Sequence, residues 1–69
     1  MTIWVNEQID PAGISHACIA STSEEQAQAC YESFQENLTD EQRQEGWVVT
    51  MRTVDSWDDV PVAALKLSV

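Results

Sequence analysis

Positive charge is what this sequence most lacks. Three lysines and arginines stand against twelve aspartates and glutamates, a net charge of −9 over 69 residues. A chain so poor in bases has no basic patch to lay against phosphate, which argues against direct nucleic-acid binding. The same charge repels anionic membrane surfaces. Glycine is almost as scarce. With Gly13 and Gly46 alone, the chain has neither a glycine-rich phosphate loop nor a nucleophile elbow. One histidine, His16, and two cysteines, Cys18 and Cys30, in no CxxC arrangement, do not make a zinc site. No stretch approaches the ~20 apolar residues of a membrane span. The opening "MTIWVNEQID" lacks the basic segment and apolar run of a secretory signal. The expectation is a cytoplasmic protein with reduced thiols and no cofactor.

What is present is enough for a folded core. Hydrophobic residues make up 43% of the chain and include three tryptophans, well above the composition of a disordered segment. At this length the expectation is one domain over residues 1–69. Such a domain buries only about 60% of the surface its unfolded chain exposes.

The pattern along the chain predicts α+β. Residues 2–9, "TIWVNEQI", read as a strand, rich in β-branched and aromatic side chains. "DPAG" at 10–13 is a turn, and "ISHACIA" at 14–20 is a second strand, so the simplest join is an antiparallel hairpin. "STSEEQ" opens a helix, with Thr22 and Glu25 or Ser21 and Glu24 as its capping box. Ala27, Cys30, Tyr31, Phe34 and Leu38 then recur at helical spacing and form one apolar stripe. "TDEQ" at 39–42 is a further capping box, and Gly46 is placed to end a short second helix. "WVVTMRTV" at 47–54 reads as a strand with Trp47, Val49 and Met51 on one face. Residues 60–69, "VPVAALKLSV", read as a last strand, with helix as the alternative over 62–67. The expected architecture is a small antiparallel sheet, in the order β-β-α-β-β, with one main helix packed on one face.

Catalysis is not expected. His16 and Cys18 alternate on one predicted strand and form the single Cys/His pairing on offer. Its plainer reading is a half-buried histidine beside a small buried thiol. Asp55, Asp58 and Asp59 lack the alternating acids, mid-loop glycine and terminal glutamate of a calcium loop.

The acids themselves carry the remaining signal. Residues 24–45 hold seven of them against Arg43 alone. Glu25, Glu32 and Glu36 lie opposite the apolar stripe, Glu32 and Glu36 about 6 Å apart along the axis. Duplex DNA presents one charge per ~1.7 Å of axis, so a carboxylate-edged helix approximates a row of phosphates coarsely. The plainer reading is a solvated helix face. Against it, surfaces shaped for solubility mix both signs, although a saline habitat produces the same acidic bias.

In "SEEQAQACYESFQENLTDEQ" and "VDSWDDV", within so short and acidic a chain, the protein resembles in type the small phage-encoded anti-CRISPR inhibitors. The resemblance implies a non-catalytic inhibitor that mimics nucleic acid. Its partner would be a basic nucleic-acid-binding protein such as a CRISPR surveillance complex, blocked in its recognition of DNA or of the PAM. Other phage DNA mimics match equally on charge.

On that reading Glu25, Glu32, Glu36, Asp40 and Glu41 meet the partner's bases. Asp55, Asp58 and Asp59 extend the patch if their loop lies on the same side. Trp57, set among those aspartates, is either a cover folded over the core or the apolar anchor of the contact. The alternative function is an acidic interaction module (an antitoxin, an immunity protein or an assembly subunit) that binds through its sheet or an edge strand.

Overall fold

The computed structural model describes residues 1–67. Strand β1 (Ile3–Ile9) and strand β2 (Ser15–Ser21) form the hairpin, followed by helices α1 (Glu24–Asn37) and α2 (Asp40–Glu45), strand β3 (Val48–Val54), a 3-10 turn (Trp57–Asp59) and strand β4 (Leu65–Leu67). The α+β plan with one main helix is as the sequence indicates. Within the predicted last strand, Leu65–Leu67 forms β4; residues 60–64 form a strap leading to it, and Ser68 and Val69 lie outside the described residues.

The four strands run in the order β3-β1-β2-β4. β1 is antiparallel to both β2 and β3. β4 is parallel to β2, with Ile19 opposite Leu65 and Ser21 opposite Leu67. The sheet is therefore mixed, not purely antiparallel. The reason is topological. β3 and β4 occupy opposite edges, so no hairpin can join them. The chain leaves β3, returns across a face of the sheet, and enters β4 in the direction of β3.

That return uses the face α1 does not. α1 carries the chain from β2 to β3, and the strap carries it back the other way to β4. Two crossovers running in opposite directions share one hand only when they lie on opposite faces. Beneath α1, Phe34, Leu38 and Val49 are buried with Ala17, Ile19, Tyr31 and Trp47 around them. Beneath the strap, Ile3, Val5, Ala20 and Val60 are buried, flanked by Cys18, Val54, Trp57 and Ala64. The two cores follow the strand alternation: Ile3 and Val5 point one way, Asn6 and Gln8 the other.

The helix ends are built locally. Ser23 caps α1, its side chain accepting from the Gln26 N–H. The cap lies later than either predicted pair because Ser21 is already the last residue of β2, opposite Trp4. Its hydroxyl donates to Gln26 Oε1 at 2.8 Å. Thr39 and Gln42 form the predicted capping box of α2, and Gly46 ends it at φ 105°, a left-handed conformation that suits glycine.

Candidate partner-binding face

Two side-chain amides of β1 set the orientation of α1. Asn6 Nδ2 donates to the Ala27 carbonyl at 2.9 Å, and Gln8 Nε2 donates to the Phe34 carbonyl at 3.0 Å. Ala27 and Phe34 are buried against the sheet. At about 100° per residue, that turns Glu25, Glu32 and Glu36 to the far side of the helix, and all three are exposed. Along the axis they stand about 10 Å and then about 6 Å apart. Asp40 and Glu41, also exposed, continue the acidic layer at the start of α2.

These carboxylates differ in what they do for the fold. Glu25 lies in the first turn of α1, and Asp40 and Glu41 in the first turn of α2, where negative charge suits the helix dipole. Asp40 also meets Arg43 at 3.8 Å. Glu36 lies in the last turn of α1, which carries no base; there a carboxylate opposes the dipole. Glu32 takes only a long contact from Gln28, at 3.5 Å. The other terminal nitrogen of Arg43 donates to the Gln35 carbonyl at 2.5 Å. Arg52 is paired with Glu7 at 3.3 Å. Among the described residues, no ion pair reaches Glu25, Glu32, Glu36 or Glu41.

The loop acids belong to another surface. Ser56 caps the 3-10 turn, accepting from the Asp58 N–H at 3.2 Å. This turn lays Trp57, half-buried, against the Ile3–Val5–Ala20 core and leaves Asp55, Asp58 and Asp59 exposed. Trp57 is thus a cover in its contacts. Because that core lies on the strap side, Trp57 packs on the face of the sheet opposite α1.

The hairpin end holds a cluster that sequence reasoning missed. Between Gln8 and Ile9 the β1–β2 register shifts, leaving His16 without a cross-strand partner. Its Nε2 lies 2.7 Å from Asp10 Oδ2, and its ring sits 4.8 Å from that of Trp47. The other Asp10 oxygen accepts from the Ala12 and Ile14 N–H groups, both at 2.9 Å. The His16 hydrogen bond, foremost, holds the Asp10 carboxyl below its ordinary range. The aspartate opening "DPAG" was the available signal, since such residues bond the backbone two residues on. Glu24 and Glu45, both exposed, also stand among the helical acids.

A shallow cavity of about 170 Å³ lies between the start of β2 and the strap, lined among others by Glu7, His16, Cys18, Pro61 and Ala63. Burial, and then the Glu7 charge, push the Cys18 thiol up, opposite to the shift that activates a nucleophile. Among the described residues, no group of three His, Cys, Asp or Glu side chains is gathered as a metal site, and no helix is long and apolar enough to cross a membrane. Comparison with protein-family models, curated proteins and solved structures returns no match.

Proposed function

We propose that this protein is a non-catalytic inhibitor that occupies the nucleic-acid site of a basic protein through the outer face of α1 and the start of α2. The observation that carries the reading is the Glu32–Glu36 pair: exposed, without an ion-pair partner, and at Glu36 opposed to the dipole of its own helix. Carboxylates that serve no local purpose in the fold are available to a partner. A target with a DNA-binding groove, such as a subunit of a CRISPR surveillance complex in a bacterial cytoplasm, supplies the lysines and arginines that such a row lacks. DNA or PAM recognition would be blocked by occupancy, with no cofactor. Asp55, Asp58, Asp59 and Trp57 stand outside this contact.

The test is capture from bacterial lysate on the immobilised protein at low and high salt. A nucleic-acid-binding protein released both by salt and by competing duplex DNA supports the reading, because charge complementarity across an exposed contact is screened by salt. A partner that stays bound at high salt and ignores DNA opposes it. That outcome would favour an interaction module binding through apolar surface. Val62, 97% exposed, and Leu65, 59% exposed, are the side chains that favour this second reading.

A further inference from the structure

We infer that β3 is a self-pairing edge, and that two copies of this chain join antiparallel along it into one eight-stranded sheet. The inference depends on neither reading of the acidic face. Among the described residues β3 has β1 as its only sheet neighbour, and the two match over all seven residues without a bulge. Alternate N–H and C=O groups of β3 therefore point outward along a regular, seven-residue edge. Exposed edges are ordinarily guarded by shortness, proline, a bulge or an outward lysine. The opposite edge, β4, is three residues long and carries Lys66. β3 is long and has neither proline nor bulge, and its one charged side chain, Arg52, is held by Glu7.

The occupant follows from charge and register. Each copy carries −9, so two copies can approach only where carboxylates are missing. Residues 46–54 contain no acid, and the one base there, Arg52, is already paired with Glu7. An antiparallel edge pair is related by a two-fold axis perpendicular to the sheet, which keeps facing residues on the same side. Centred on Met51, the pairing uses all seven residues. Met51, 38% exposed, then faces its own copy; Val48, 49% exposed, faces the partner's Val54; and Arg52 faces the partner's Thr50. Centring on Arg52 would set like charges against each other, which is destabilising. Centring on Thr50 leaves fewer pairs. The Met51 register thus covers two exposed apolar side chains and opposes no charges. It also places both α1 helices on the same side of the joined sheet.

The experiment is sedimentation of the purified protein over roughly a hundredfold range of concentration, at about 0.05 M and about 0.5 M NaCl. A monomer–dimer equilibrium that strengthens with salt is expected, since salt screens repulsion between the two acidic copies. Met51→Lys places two ammonium groups at the two-fold axis and is expected to weaken dimerisation by roughly tenfold or more with an unchanged circular dichroism spectrum. Thr53→Lys, at an exposed position facing the partner's Val49, is the second variant should Met51→Lys fail to fold. A wild-type protein that is monomeric throughout overturns the inference, as does a dimer that persists in the folded variants.

Discussion

Asn6 Nδ2 donates to the Ala27 carbonyl at 2.9 Å, joining the middle of β1 to the first turn of α1. With the Gln8–Phe34 bond, it fixes the rotation of a helix whose apolar stripe alone would tolerate some slip. Rotation decides which side chains face out. The outward row of Glu25, Glu32 and Glu36 is in this sense a consequence of two amides beneath the helix, Asn6 buried and Gln8 half-buried. Asn6→Ala is expected to lower stability by about 1–3 kcal/mol, through the lost hydrogen bond and the space left behind. Urea denaturation measures it.

Trp57→Ala is expected to cost about 2–4 kcal/mol, below the full cost of a wholly buried tryptophan because the side chain is half-exposed. The double change Asp58→Lys and Asp59→Lys is expected to leave stability within about 0.5 kcal/mol, as exposed substitutions usually do. Parallel thermal melts of the two proteins separate the cover from its charged neighbours.

These contacts show where the sequence was readable. The Ala27–Phe34–Leu38 stripe, the Thr39–Gln42 box and the Gly46 stop depend on residues a few positions apart, and each stands where the pattern indicates. The parallel β4 was not readable, because its direction is set by where the strap crosses the sheet, a non-local matter. Nor did alternation show that α1 would cover the Asn6 and Gln8 face while the strap covered Ile3 and Val5. A polar strand face acquires a reason only once helix carbonyls are seen above it.

Acid should act on the hairpin end. The Asp10 carboxyl is held below its ordinary value of 3.8, chiefly by the His16 hydrogen bond and then by the Ile14 N–H. A depressed folded value means that this contribution to stability is fully present above pH 3.8 and is lost as pH falls through the lower folded value. Asp10→Asn is therefore expected to flatten the stability profile in that acidic window and to lower stability at neutral pH. Urea midpoints collected from pH 6 downwards test it; a profile as steep as the wild type's would contradict it.

Cys18 should be slow to react. Burial and the nearby Glu7 charge raise its thiol above the ordinary 9.0, and the thiolate is the reactive form. Alkylation of Cys18 in the folded protein at mildly alkaline pH, followed by peptide mass spectrometry, is expected to run well below its rate in urea. Equal rates would mean that the strap does not protect it.

The central claim is that the outer face of α1, and not the tryptophan loop, meets a basic partner. The most direct measurement is the association rate with the captured partner for three proteins: wild type, Glu32→Lys/Glu36→Lys, and Asp58→Lys/Asp59→Lys. The helix reversal is expected to slow association by about tenfold or more at low salt, with a smaller change in dissociation and a loss of salt dependence. The loop reversal is expected to change the rate far less. An association rate unmoved by the helix reversal, or lowered mainly by the loop reversal, would contradict the account.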